Sequence, residues 1–364
     1  MRWKKALGML AAGMMTVALV GCGSSASNTG NAGDGGDSSA QSDSTEVITL
    51  NIADHLNQGH LVYETILDTF IPELEKTGQI KVDYFPGQQL GKTEDMFDLV
   101  SSGVAHIGYV YPGVVEGHIP LTTVFGLPGE FESATEARQV YKELVKGTLA
   151  AEYEKLGIVP IAVTATDPYQ FFTVDKQVKR PEDIAGLKLR TAGGTADEVL
   201  EQLGASVVSM TPAELYESLQ RGVLDGTTYS FATATAHHLE EVTKYATDGV
   251  QLGNGPLFYF MSKEKFESFS PEIQQLILEA GEKFSEAVAK GYDELTKKNQ
   301  QMYADAGGTI YTLTEEDKEA WTKALSPAAE LWIQKMESKG IANAREVYEE
   351  MQRIKEQVRG AASN

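Results

Sequence analysis

Apolar and polar positions along this chain switch between a period of two and a period near 3.6, and the switches mark out its elements. Residues 46–55 (EVITLNIADH) alternate apolar with polar, are rich in β-formers and predict a strand. Residues 59–76 place Leu61, Tyr63, Ile66, Leu67, Phe70 and Leu74 at helical spacing. IKVDYF at 80–85 predicts a second strand before the Pro86-Gly87 break. Thr93-Glu94-Asp95 opens a short helix that ends near Ser102-Gly103, and AHIGYVY at 105–111 predicts a third strand. This β-α-β-α-β order predicts a mostly parallel sheet covered by helices.

The second half follows the same style without repeating the sequence. Residues 133–156 predict one long amphipathic helix, and IVPIAVTA at 158–165 and QFFTVD at 170–175 predict strands. After a turn at Lys179-Arg180-Pro181, residues 186–190 read as a short strand, 195–203 as a helix and ASVVSM as a strand. Thr211-Pro212-Ala213-Glu214 joins an N-cap threonine, a proline at the first helical position and a glutamate at the third, a strong helix start. That helix stops at Gly222, and 223–231 returns as a strand. From Pro271 to Asp305 the apolar positions step by three or four, which predicts a helix of roughly 50 Å if it is unbroken at Gly281 and Gly291. Two more amphipathic helices are predicted near 314–338 and 343–358.

The first residues change the picture from a plain α/β chain to an exported one. Arg2, Lys4 and Lys5 precede an apolar run from Ala6 to Val20, too short to span a bilayer but right for a secretory signal over 1–21. The run ends in Leu19-Val20-Gly21-Cys22, a pattern that resembles the bacterial lipobox, so Cys22 is expected to carry a lipid. As the only cysteine it has no disulfide partner within the chain. Residues 22–45 are Gly, Ser, Asn and Asp-rich with no aromatic or large aliphatic residue, and cannot bury enough surface to order themselves. They read as a tether to the cell membrane. The remainder is long enough for two domains.

Net charge is −21; the first 21 residues hold three basic and no acidic ones, so the rest carries −24. An acidic surface of that size argues against nucleic acid and against a polybasic membrane patch, and an anionic ligand would need a local cation. Six histidines (55, 60, 106, 118, 237, 238) form no HExxH or Cys/His cluster, which predicts no metal site. There is no G-x-S-x-G elbow, P-loop or EF-hand, so neither an enzyme nor a cofactor is expected.

The segment from Lys179 to Gly226 carries the most information. It reads R-P-E-D-I-A-G-L-K-L-R, then L-G-A-S-V-V-S-M, then T-P-A-E-L-Y-E-S-L-Q-R-G-V-L-D-G. It resembles the core signature of the extracytoplasmic solute-binding proteins of TRAP (tripartite ATP-independent periplasmic) transporters. PGQQLGKTEDMFDLVSSGVAHIGYVYPG at 86–113 resembles that family's first-domain segment, LTTVFGLPGEF at 121–131 the strand that follows it, and 260–281 the approach to its long helix. The resemblance extends over nearly all of 46–340. It implies a two-domain periplasmic-binding-protein fold (type II-like), α/β in both halves, with an interdomain cleft and a long domain-spanning helix. It places 46–166 plus 255–290 in domain I and 167–254 plus 291–364 in domain II. It also implies that Arg190, ending G-L-K-x-R, holds a ligand carboxylate, for which a planar, permanently charged guanidinium is suited.

Three positions depart from the commoner pattern. Gln170 stands where a second arginine is frequent, Tyr229 stands where an asparagine is frequent, and Pro212 replaces an aromatic. Losing a cation and an amide while gaining Tyr229 beside Phe171, Phe172 and Phe231 points to a monocarboxylate with an apolar or aromatic body. Strand alternation lets only one of Phe171 and Phe172 face the cleft, and Phe172 is taken as that one. Strand ends add His55, Asn57, Glu94, Tyr109 and Tyr111, with Asp167 and Tyr169 at the presumed crossing. The chain is thus expected to be a monomeric, lipid-anchored receptor that faces the periplasm or exterior and delivers a small organic acid to a TRAP-type permease. An ABC-importer receptor or a sensory-system receptor is the alternative.

Overall fold

The computed structural model describes residues 47–111, 116–210 and 214–362. The signal segment, the tether with Cys22 and the helix start at Thr211-Pro212-Ala213 lie outside the described residues. No helix among the described residues is long and apolar enough to cross a membrane.

Strand β1 (Ile48–Ala53) leads into a helical run built of α1 (Leu61–Thr65), a π-helical turn over Ile66–Phe70 and α2 (Ile71–Glu75). Pro72 explains the wide turn: it has no N–H to return to residue 68. Next come β2 (Ile80–Phe85), α3 (Met96–Ser101) after a 3-10 turn at Thr93–Asp95, and β3 (Ile107–Val110).

Residues 121–131 depart from the expected strand: Leu121–Gly126 is a 3-10 helix. Its first N–H groups find an acceptor in Glu152, which takes bonds from Leu121 N (2.7 Å), Thr122 N (3.2 Å) and Thr122 Oγ1 (2.7 Å). The single helix expected over 133–156 is two, α4 (Ala134–Lys146) and α5 (Ala150–Lys155). Gly147 breaks it with a non-helical backbone at φ −100°, ψ −117°.

Strands β4 (Ile158–Ala165) and β5 (Tyr169–Thr173) follow, then β6 (Lys188–Thr191), α6 (Thr195–Gln202), β7 (Ser206–Ser209), α7 (Leu215–Gln220), β8 (Gly226–Ser230) and the short helices α8 (Phe231–Ala234) and α9 (Leu239–Val242). After β9 (Tyr245–Asp248), β10 (Pro256–Ser262) and α10 (Lys263–Glu267), α11 runs unbroken from Pro271 to Asp305. Strand β11 (Thr309–Thr312) and helices α12 (Glu315–Leu325), α13 (Pro327–Ser338) and α14 (Ala344–Ala362) close the chain. Pro327 divides what the pattern presents as one helix over 314–338.

Two mixed sheets result, ordered β2-β1-β3-β10-β4 and β11-β9-β5-β8-β6-β7. Each is mostly parallel with one strand reversed: β10 runs antiparallel to β3 and β4, and β5 antiparallel to β8 and β9. Both strands enter their sheet from the other lobe rather than by a crossover over their own. The two crossing segments pair with each other through Thr166 N to Gly255 O and Tyr169 N to Gly253 O, both 2.9 Å. Helix α11 packs on β4 and α4 in one lobe and on α8 and β11 in the other. The last helix does not stay with the second lobe, to which 291–364 was assigned: α14 packs back on α4, and Lys355 is ion-paired with Glu130 in a buried setting.

Candidate functional site

Strand β6 is flanked by parallel β7 and β8 and brings Arg190 to its end, beside Val208 and Thr227. The side chain is 3% exposed. Its Nε donates to Met210 O at 2.8 Å, and the guanidinium carbon stands 5.4 Å from the Tyr229 ring centroid, within cation–π range. Among the described residues no carboxylate comes within 4.0 Å of it. Burial pulls the Arg190 pKa below the ordinary arginine value, opposed by Tyr229, Tyr169, Tyr111 and Asp197. A buried cation served by one carbonyl and a ring face is arranged to receive an anion.

Tyr229 extends this group. Its ring lies parallel to Tyr169 at 6.4 Å and edge-on to His237 at 5.2 Å. Burial raises the hydroxyl pKa of both Tyr169 and Tyr111, and Arg190 opposes the shift in each. From the first lobe, His55 packs its ring on Tyr109 at 5.1 Å, and its Nδ1 is buried without a partner. Burial chiefly, with smaller contributions from His55 and His237, lowers the pKa of His60 to about 4.

A cavity of about 280 Å³ adjoins the group, walled by Tyr111, Tyr169, Gly194, Thr195, Asn254 and Trp332 among others. The first turn of α6 has no side-chain cap, since its N-cap is Gly194 at φ +100°. Its positive end therefore lies in the cavity wall.

The structure thus brings together Arg190, Tyr229 and Tyr111 from the expected residues, with Tyr169 from the crossing. Tyr109 supports His55 from within the first lobe's core, its ring 4.8 Å from Tyr259. Asn57 lies exposed in the loop after β1. Three expected residues are not brought to the site. Gln170 is buried with its Oε1 accepting from Gly249 N (3.0 Å) and Val250 N (2.9 Å), so it fastens β5 to the second crossing segment. Phe172 is fully buried against Phe231 (4.8 Å) and Tyr303 (5.6 Å), while Phe171 packs on Trp321 across the sheet; neither faces the cleft. Glu94 is exposed, with Lys92 4.0 Å away, because the turn it opens points to solvent. Asp167 serves the crossing itself: Ser230 Oγ, Ala232 N and Thr296 Oγ1 all donate to it, and burial lifts its pKa to about 6.

Residues that the sequence did not single out include His60, His237, Asn254 and Trp332. The Gly253-Asn254-Gly255 turn was the one visible signal among them, since tight Gly-flanked residues mark close backbone approach. Of the described residues, His238, Glu240 and Glu241 have metal-ligand atoms within 4.8 Å of one another. That group lies at the surface, with Glu241 accepting from Tyr216 OH.

A profile of the family described as DctP, bacterial extracellular solute-binding protein, family 7, matches residues 52–336. An uncharacterized protein of Salmonella typhimurium, YiiZ, is 35% identical over 263 residues, covering 70% of this chain and 77% of that one. A TRAP solute-binding protein from Rhodoferax ferrireducens T118, in complex with copurified benzoate, is similar in structure with a TM-score of 0.76 at 20% identity. The match covers 87% of this chain and 100% of that one. A marine-metagenome TRAP solute-binding protein specific for aromatic acid ligands, co-crystallized with 3-hydroxybenzoate, gives a TM-score of 0.75 at 25% identity over 86% and 99% of the two chains.

Proposed function

Because the chain belongs to family 7 of the bacterial extracellular solute-binding proteins, we propose that it captures a monocarboxylate with an apolar or aromatic body between its lobes and delivers it to a TRAP-type permease. Members of this family bind small solutes outside the cytoplasm for transport, and the chain is not an enzyme. The observation that carries the ligand class is Arg190: a guanidinium 3% exposed, with no carboxylate of the described residues beside it and a tyrosine ring 5.4 Å away. One carboxylate matches it, and the stacked Tyr229 and Tyr169 offer an apolar wall rather than a second cation. Binding of benzoate and of 3-hydroxybenzoate by two structurally similar proteins supports the same class.

In this reading Arg190 takes the carboxylate, and Tyr229, Tyr169 and Tyr111 flank the body. His55 and Asn57 approach from the first lobe. A ligand touched by both lobes favours the closed arrangement, with the crossing segments as hinge. Cys22, ending Leu19-Val20-Gly21-Cys22, carries the lipid that holds the receptor at the membrane. Loss of incorporated labelled palmitate in Cys22→Ser tests that part.

Thermal unfolding against aromatic monocarboxylates, dicarboxylates, sugar acids and neutral amides tests the ligand. At one hundred times its dissociation constant a true ligand stabilises by about 2.7 kcal/mol, a rise of several degrees. Aromatic monocarboxylates are expected to give that rise and Arg190→Ala to abolish it. A rise with neutral amides alone would sink the assignment.

A further inference from the structure

Asn254 sits in the second crossing segment, 3% exposed, and lines the 280 Å³ cavity. Its orientation is fixed because Nδ2 donates to Thr166 O at 2.8 Å, the carbonyl of the other crossing segment. That leaves Oδ1 as the amide's remaining polar atom, and it is buried with no hydrogen-bond partner. The neighbouring backbone leaves Asn254 little room to move. A Cβ at Gly253 would come 2.4 Å from Gly126 O, and one at Gly255 would meet the Tyr111 ring at 3.0 Å. An acceptor held so firmly without a partner, in a residue that lines a cavity, calls for a donor. A second carboxylate cannot meet it, since two acceptors repel. A hydroxyl can.

Tyr111 and Tyr169 wall the same cavity and lie in the field of Arg190. They contribute ring surface to its wall.

We infer that Asn254 Oδ1 is a specificity-determining acceptor that reads a hydroxyl on the bound acid, making hydroxylated aromatic or aryl-substituted acids the preferred ligands. The inference rests on the carboxylate reading of Arg190 and adds the second polar group that the ligand must carry. It also gives the hydroxyl a structural consequence: the group it reaches is fastened to both crossing segments, so the ligand touches the hinge itself.

Calorimetric titration of the full chain with matched acids tests this. Benzoate is compared with its 2-, 3- and 4-hydroxy derivatives, and phenylacetate with mandelate. At least one hydroxylated acid is expected to bind about tenfold more tightly than its parent, the effect of one satisfied neutral hydrogen bond. Its O-methyl ether, which keeps the oxygen and loses the donor, should fall back to the parent's affinity or below. In Asn254→Ala the hydroxyl preference should drop below about twofold while the parent acid still binds. Should that variant not fold, the methyl-ether comparison in the wild-type protein decides alone. Equal binding of all hydroxylated and parent acids, an ether as good as its alcohol, or a preference that survives Asn254→Ala overturns the inference and leaves the carboxylate reading standing. If no acid binds at all, the carboxylate reading has failed and this one falls with it.

Discussion

Burial lowers the pKa of two kinds of residue around the site, with different outcomes. Arg190 keeps its charge despite being enclosed, since an arginine is not deprotonated at any pH the cell meets. His60 instead gives its charge up. As N-cap of α1 its Nδ1 accepts from Val62 N at 3.2 Å, and burial with the neighbouring His55 and His237 lowers its pKa to about 4. The folded value lies below the unfolded 6.5, so the unfolded chain binds more protons between those limits. The stability His60 contributes is then complete above pH 6.5 and is lost as pH falls toward 4. His60→Asn keeps a capping oxygen and removes the titration. Wild type should lose stability relative to that variant between pH 7 and 4.5, by up to about 3 kcal/mol, measured by denaturant unfolding at each pH. Asp54 and Asp167, raised by burial to about 6, act in the opposite sense in both proteins and cancel in the comparison.

The long element α11 shows how one helix serves two lobes. Two glycines interrupt its good helix formers, and each costs roughly 1 kcal/mol against alanine by propensity alone. They are not equivalent. A Cβ at Gly281 would lie 1.9 Å from the backbone oxygen of Ile161 in β4, whereas one at Gly291 meets the end of the Leu61 side chain at 2.8 Å. Gly281 is what lets the helix seat on the sheet. Gly281→Ala should destabilise by about 1–3 kcal/mol, because backbone must shift. Gly291→Ala should change stability by less than about 1 kcal/mol in either direction, since a leucine rotamer can yield. Equal losses at the two positions in thermal unfolding would contradict this account of the α11–β4 contact.

At the scale of the molecule, α14 joins the end of the chain to the first lobe. Glu130, 7% exposed, accepts from Lys355 Nζ, from Gln352 Nε2 at 2.6 Å and from Tyr348 OH at 3.2 Å, all on α14. Replacing one partner of a buried ion pair leaves the other charge without compensation. Lys355→Met should therefore lower stability by about 3 kcal/mol, seen as a fall of several degrees in the melting temperature. The double variant Glu130→Leu/Lys355→Met should lose less than Lys355→Met alone. The acidic remainder of the chain bears on the same scale. A net charge of −24 repels anions at long range, so capture depends on the short-range, enclosed charge of Arg190.

Local pattern was enough to read α11 to its ends, most strand positions of both lobes and the family signature ending at Arg190, because helical period, strand alternation and capping residues act over a few positions. Strand β10 escaped because PLFYFM is buried on both faces, and a run with no polar alternation carries no period. Residues 121–126 look like a strand, yet Glu152, distant in sequence, supplies the acceptors that stabilise a 3-10 turn there. At the site, sequence offered Arg190, Tyr229 and Tyr111, but it also offered Gln170 and Phe172, which the packing of β5 commits to a crossing contact and to the core. The setting of Asn254 depends on two segments that are far apart in the chain and adjacent only because the lobes exchange strands. The sequence by itself determined most of the elements, the class of the fold and the cation. Which polar groups stand unpaired beside that cation was decided by tertiary packing, because pairing and desolvation are properties of neighbours in space.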